Sequence, residues 1–308
     1  MKKIKLALLA GGDSPEREVS LNSAGQVYEA LDQEKYDIVR YDPKTDLKRI
    51  VEDAPGIDAA LIILHGPNGE DGTVQGLLDL LKIPYQGAGV LGSALAMNKL
   101  VTKKLYEKAG IPVPDYIHVA KGETLRIEEW VEKIGLPMVV KPVCAGSSVG
   151  MTIVRKEDDL PGAIQSAFSF DNALLFERYI KGVELTCGVL GNSHLEALPV
   201  IEIIPGEGYE FFDYNAKYLK GATEEICPAR IDDDIRQEVQ SLALKAHQAL
   251  FLKGYSRTDM ILMDGNLHVL ETNTIPGMTG TSLYPQSAAA AGYSFSQLLD
   301  KLIELAME

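Results

Sequence analysis

Residues 255–283, YSRTDMILMDGNLHVLETNTIPGMTGTSL, read as two strands in hairpin followed at once by a loop of glycines and hydroxyls. The connection Asp264, Gly265, Asn266 has turn chemistry, and three loop residues containing a glycine predict a bulged hairpin. In that register Met263 opposes Leu267, Asp259 opposes Glu271 and Arg257 opposes Asn273, because antiparallel partners keep a constant sum of residue numbers. Side chains alternate with a period of two, so the four polar groups share one face. Ile261, Met263, Leu267 and Val269 continue it. Directly opposed Cβ atoms lie about 4.5–5.5 Å apart, close enough for two carboxylates to share a hard cation. The other face, with Met260, Leu262 and Leu270, is apolar as well, so both sides of the hairpin are expected to be buried. Two carboxylates facing each other in such a place need a counter-ion.

The rest of the chain sets bounds on what that hairpin can serve. At 308 residues the chain exceeds the usual size of a single core, and its length predicts two domains or three small ones. The formal charge of -14 argues against a general nucleic-acid binder, which holds phosphate backbones with many clustered Lys and Arg. An anionic ligand must therefore meet locally placed lysines. Cys144, Cys187 and Cys227 are far apart, with neither metal spacing nor a disulfide framework, and a reducing cytosol fits them best. Residues 1–10 mimic a signal peptide only superficially, because Lys5 interrupts the apolar run. No stretch is long enough to span a membrane, and there is no internal repeat.

Residues 4–10 read as a buried strand ending in Gly11, Gly12, Asp13, Ser14 and Pro15, a loop that opens a helix. Leu21, Ala24, Tyr28 and Leu31 are that helix's expected inner face. Strands at 39–41 and 59–64 and a helix marked by Val74, Leu77, Leu78 and Leu81 complete a parallel α/β unit. Ligands on such sheets sit beyond the carboxyl ends of the strands. The loops there carry Glu16, Arg17 and Glu18, and His65, Gly66, Gly69, Glu70, Asp71 and Gly72. Gly87, Gly89 and Gly92 match G-x-G-x-x-G, but a dinucleotide motif must close the first βα unit, so a tight turn into a helix is the better reading. That helix holds Lys99 and ends near Gly110, with Pro112 and Pro114 marking a boundary.

Residues 137–141 and 151–155 form a hairpin whose tip, Gly146, Ser147, Ser148, Val149, Gly150, is rich in free backbone N–H groups that can wrap phosphate oxygens. The Walker pattern is absent. Strands follow at 173–180, 183–190 and 195–204. Residues 205–225 read as a long loop bearing Tyr209, Phe211, Phe212, Tyr214, Lys217 and Tyr218, and loops of that length in compact domains are usually functional or disordered. Ile235, Val239, Leu242, Ala246 and Leu250 mark a helix stripe before the opening hairpin, and a helix over 296–306 closes the chain.

In this order the motifs resemble the D-alanine:D-alanine ligases of the ATP-grasp superfamily. The pieces that carry the resemblance are GGDSPEREVSL at 11–21, HGPNGEDGT at 65–73, Lys141 with GSSVGM at 146–151, AKYL at 216–219 and ETNTIPGMT at 271–279. Each alone is weak, and five in the family's order are specific. The resemblance implies an ATP-grasp fold behind an N-terminal parallel α/β domain: residues 1–98 for substrate, 99–183 as the central ATP-grasp subdomain, and 184–308 carrying the metal and catalytic site. It implies ATP-driven joining of two D-alanines through an acyl phosphate, in peptidoglycan precursor synthesis, by a cytoplasmic homodimer. Asp259, Glu271 and Asn273 would hold two Mg²⁺, with Mn²⁺ a possible substitute, and Lys99, Lys141 and Lys217 would meet the ATP phosphates under the loop at Ser147 and Ser148.

Similar enzymes hold adenosine with Glu177, Tyr179, Ile180 and Glu184 over an apolar floor at Ile261. The first D-alanine's ammonium would pair with Glu16, ordered by Ser147 and Tyr218, and Ser282 and Leu283 would hold the second carboxylate. Arg257 and the Gly277 N–H would stabilise the tetrahedral oxyanion, with His65 near the substrates. Tyr218 goes with amine acceptors in this family, and phenylalanine there goes with the D-lactate ester. Cys144, Ala145 and Tyr179 depart from the family's usual residues. Two other readings stand beside this one: a related ligase joining D-alanine to D-serine or D-lactate, and an ATP-binding module without chemistry. Arg257, Asp259 and Glu271 are by themselves also compatible with a plain buried ion-pair cluster.

Overall fold

The computed structural model describes residues 2–206 and 223–308. The first sheet is three-stranded and parallel, with β1 (Ile4–Ala10) between β2 (Tyr36–Tyr41) and β3 (Ala59–Ile63). Its strands are apolar on both faces, as covered parallel strands must be. Ala7, Leu9 and Ile62 pack on one side with Ile50 of α2 (Pro43–Asp53) and Val74 and Leu78 of α3 (Thr73–Leu81). The other side receives Ala24 and Val27 of α1 (Arg17–Ala30).

Helix α1 buries Ala24 and Leu31 and packs Tyr28 against the core as expected, but Leu21 is 39% exposed and Ser20, Ser23 and Val27 are buried instead. Hydroxyl chemistry sets this difference at the helix start: Ser20 Oγ accepts from the Gly11 N–H at 2.8 Å and donates to the Ile63 carbonyl, tying the helix to two strand ends. The glycines at 87, 89 and 92 turn tightly into α4 (Gly89–Met97), with positive φ at the first two and Leu252 against the third. The single helix expected to run on to Gly110 is instead broken at Asn98. Its side chain accepts from the Val101 N–H at 3.0 Å and starts α5 (Lys99–Lys108) afresh.

The second sheet is antiparallel in the order β4, β7, β5, β6, formed by β4 (Tyr116–Ala120), β5 (Met138–Pro142), β6 (Thr152–Val154) and β7 (Ala173–Arg178). Trp130 and Ile134 of α6 (Ile127–Ile134) and Leu160 and Ile164 of α7 (Leu160–Ala167) cover its back. The third sheet contains β8 (Val183–Gly191), short β9 (Glu196–Ala197), β10 (Ile201–Pro205), β11 (Thr223–Ile226), β12 (Gly254–Met263) and β13 (Asn266–Asn273), backed by α8 (Asp233–Ala249). Residues 223–225, expected in the long loop, are strand: Thr223 pairs with Pro205 and Glu225 with Ile203. The remainder of that loop, with Lys217 and Tyr218, lies outside the described residues.

After α9 (Leu283–Ala290), the last helix, α10 (Phe295–Met307), returns to the first sheet. Ser294 and Gln297 close a capping box at its start. Leu298, Leu299, Leu302 and Ile303 then bury against Leu6, Leu8, Leu61 and Ile63. Each such side chain contributes about 1.5–3 kcal/mol on burial.

Candidate active site

Strands β12 and β13 hold the expected register at one end and lose it at the other. Arg257 opposes Asn273 and Asp259 opposes Glu271, but beyond a bulge Met260 faces Val269, Ile261 faces His268 and Met263 faces Asn266. The turn is the cause. Asp264 and Gly265 have φ of 50° and 78°, the two-residue type I′ form that Asp-Gly favours, so Asn266 belongs to the strand. Leu270 is the residue left over, and the faces beyond it change accordingly. Leu267 and Val269 join Met260 in the core against α8, whereas Ile261 and Leu270 line a cavity. One side of the hairpin is core and the other is site.

The acid face is closely connected. Arg257 Nε and Nη2 donate to the two Asp259 oxygens at 2.9 and 2.8 Å, Asn273 Nδ2 donates to Oδ2 at 2.9 Å, and Thr186 Oγ1 donates to Oδ1 at 2.6 Å. Behind it, a hydroxyl chain runs from Tyr106 of α5 to Thr272 and Thr258 at 2.6 and 2.8 Å, fixing helix to hairpin. The restart of α5 at Lys99 turns that side chain onto the site: its Nζ donates to the Ala145 carbonyl at 2.6 Å and lies 3.7 Å from Glu271.

Two cavities flank this face and share Lys99 and Glu271 in their walls. The larger, about 470 Å³, is lined by Glu16, His65, Ser147, Arg257, Asn273, Gly277, Ser282 and Leu283. The smaller, about 130 Å³, is lined by Lys141, Ser148, Glu177, Tyr179, Ile180, Glu184, Asp259 and Ile261. The described residues named from sequence thus fall into two groups that meet at one lysine–carboxylate contact. The Gly-Ser-Ser loop is divided between them, since Ser147 faces one cavity and its neighbour Ser148 the other. Both serines sit at positive φ, 48° and 58°, a conformation uncommon for residues other than glycine.

The larger cavity is acidic at one end. Glu16 is buried, makes no cap hydrogen bond to its own helix, and accepts from Ser147 Oγ across 131 residues of sequence. Beside it, Glu70 accepts from the Gly66 N–H at 2.6 Å. Burial, reinforced by the charge of Glu16, pushes the Glu70 carboxyl up to about 8. Burial likewise lowers the His65 pKa, so its imidazole is neutral at pH 7. At the other end Ser282 caps a hydroxyl cluster, accepting from the Thr279 N–H at 3.1 Å and contacting Thr279 Oγ1 at 2.7 Å. Three side chains in and behind the site were not singled out from sequence: Thr186 on Asp259, Glu225 on the larger cavity wall, and Lys103, sealed off beside Glu177. Lys103 had a signal, because it follows Lys99 by four residues and so shares its helix face.

Asp259, Glu271 and Asn273 present hard oxygen donors at adjacent pairing positions. Among the described residues no cluster of three or more His, Cys, Asp or Glu offers a full metal cage. Two acids and an amide suit Mg²⁺, which takes one or two carboxylates and completes its shell with phosphate and water.

Comparisons with known proteins identify one family over nearly the whole chain. The family model for the D-ala D-ala ligase C-terminus matches residues 105–304, and that for the N-terminus matches 5–50 and 42–88. A D-alanine--D-alanine ligase of Syntrophobacter fumaroxidans is 58% identical over 307 residues, covering 100% of this chain and 99% of that protein. The Bacillus anthracis D-alanine--D-alanine ligase complexed with ATP superposes with a TM-score of 0.87 at 37% identity, over 99% of this chain and 97% of that one. VanG D-Ala:D-Ser ligase from Enterococcus faecalis superposes at 0.84 with 35% identity, over 99% and 100%.

Proposed function

The chain belongs to the D-alanine–D-alanine ligase family, with its ATP-grasp fold, and from that premise we propose that it joins two D-alanines at the expense of ATP. The observation that carries the reading is the meeting of two cavities at Lys99 and Glu271. ATP fits the smaller, with Tyr179, Ile180, Glu184 and Ile261 about the adenosine and Lys99, Lys141 and Ser148 about the phosphates; Lys217, outside the described residues, joins them on the family resemblance alone. The two D-alanines fit the larger. Glu16, oriented by Ser147, takes the first ammonium, and Ser282 with Leu283 takes the second carboxylate.

A carboxylate resists attack by an amine, so activation is the chemical problem. Positioning and charge neutralisation are what phosphoryl transfer asks of a protein. In the first step the first D-alanine's carboxylate oxygen bonds to the γ-phosphorus as the bond to ADP breaks. In the second the other D-alanine's amine attacks the acyl carbon, phosphate leaves, and the amine loses a proton. Lys99 holds charge at the junction where both steps occur. Asp259, Glu271 and Asn273 would hold Mg²⁺, which neutralises phosphate charge. Arg257 and Gly277 line the same cavity, where the guanidinium and the Gly277 N–H would stabilise the oxyanion of the tetrahedral intermediate. Neutral His65 serves as a hydrogen-bonding group near the substrates. Tyr218 supports an amine acceptor. The division proposed is at residues 1–98, 99–183 and 184–308, one sheet to each; Tyr106 and Ile111 of the second range pack in the third sheet's core, and α10 docks back on the first sheet.

The family further supports a role in peptidoglycan precursor supply, a cytoplasmic location and a homodimer. Among the described residues no helix is long and apolar enough to cross a membrane. The test is to offer D-alanine, L-alanine, D-serine and D-lactate as acceptors with ATP and Mg²⁺, reading ADP release and product mass. D-alanyl-D-alanine is the expected product, and its absence above background would sink the reading.

A further inference from the structure

Helix α5 carries a second lysine one turn beyond Lys99, and its side chain has no access to either cavity. Lys103 is 0% exposed, with Nζ 3.2 Å from Glu177 Oε1. Lys141 Nζ lies 2.9 Å from Oε2 of the same carboxylate. One buried acid is thus held between two ammonium groups, an excess of one positive charge. Lone charge in a buried place is costly unless something of opposite sign meets it. The two lysines differ in where that partner can come from: Lys103 is sealed, whereas Lys141 lines the smaller cavity with Lys99 and Ser148.

We propose that Lys103 is a positioning residue for the nucleotide: it neutralises Glu177 from behind, so that the charge of Lys141 stays available to the phosphates of ATP. The inference rests on the ligase reading only in naming ATP as the anion. Without Lys103, Glu177 and Lys141 form a closed pair with no net charge, and a phosphate entering the cavity meets a salt bridge instead of a cation. Burial raises the Glu177 pKa, but Lys103 and then Lys141 outweigh burial and hold the carboxyl below its ordinary value. Burial lowers Lys103 in turn, and Glu177 is the first group that opposes this, so the geometry of one carboxylate between two amines carries the assignment.

The experiment compares the wild type with Lys103→Met in the full chain. ATP–Mg²⁺ and adenosine are each titrated calorimetrically without D-alanine, and KM for D-alanine is measured separately. Lys103→Met is expected to weaken ATP binding tenfold or more and to leave both adenosine binding and KM for D-alanine within twofold, because only the phosphates meet Lys141. Thermal melting checks folding, and Lys103→Gln replaces Lys103→Met if the methionine form does not fold. ATP affinity unchanged in the variant, an equal loss of adenosine binding, or a parallel rise in KM for D-alanine overturns the proposal. A wild-type chain that binds ATP with this variant pattern but makes no dipeptide removes the ligase reading and leaves Lys103 in its role.

Discussion

The two cavities are built on different principles. The larger is assembled from loop and helix ends that meet only when distant parts of the chain come together, as Glu16 and Ser147 do across 131 residues. Its walls mix hydroxyls and acids with Arg257, Lys99 and His65, and with apolar Ile275 and Leu283. The smaller is floored by paired strands, with Leu185, Met260 and Ile261 placed by the register of β8 and β12. Selectivity on the amino-acid side therefore depends on polar groups aligned by tertiary closure, and binding on the nucleotide side on strand register and apolar fit.

That contrast can be broken most severely where the cavities meet. Arg257→Ala and Glu271→Gln are expected to lower turnover by about a thousandfold or more, the range for losing a charged group that acts on the transition state. In Arg257→Ala the nucleotide should still bind. ADP release and direct ATP titration separate the two effects, and full activity in either variant refutes the site. Ser147→Ala probes the larger cavity alone. Removing one hydrogen bond to a buried acid should raise KM for D-alanine about tenfold, with KM for ATP unchanged; equal changes in both would erase the distinction drawn here.

Glu184→Gln makes the complementary test, raising KM for ATP a few-fold, on the order of one hydrogen bond to an ionised acceptor, without affecting D-alanine. A test of stability in place of catalysis is Glu70→Gln, read in melting temperature against pH. The folded carboxyl titrates near 8 instead of 4.5, so the protonated form is favoured by folding. Its contribution is complete below pH 4.5 and is lost as pH rises through 8. Glutamine mimics the protonated acid, so the wild type should lose stability relative to the variant across that window, by no more than about 1.4 kcal/mol per pH unit. Parallel curves would show that Glu70 does not titrate there.

The end of the hairpin that carries the chemistry was legible from residue numbers and alternation, because Arg257, Asp259, Glu271 and Asn273 lie within one undisturbed ladder segment. The turn end was not. A two-residue turn and a three-residue turn differ by one position, and a bulge between Asp259 and Met260 absorbs the difference without leaving a mark in the hydrophobic pattern. Periodicity also misplaced Leu21, because it weighs apolar residues and is blind to hydroxyls that cap strand ends. Spacing puts Lys103 on the same helix face as Lys99, but its burial follows from Glu177, a residue in another strand that no local window joins to it.

The return of α10 to the first sheet has a consequence for synthesis. Leu6, Leu8, Leu61 and Ile63 leave the ribosome more than two hundred residues before Leu298, Leu299, Leu302 and Ile303, which cover them. At about 5–20 residues per second, that interval is of order ten seconds to most of a minute. Throughout it the nascent sheet has one incompletely covered face, and chaperones that recognise exposed aliphatic strands have their window there. The earliest-made part of the fold is thus among the last to be finished.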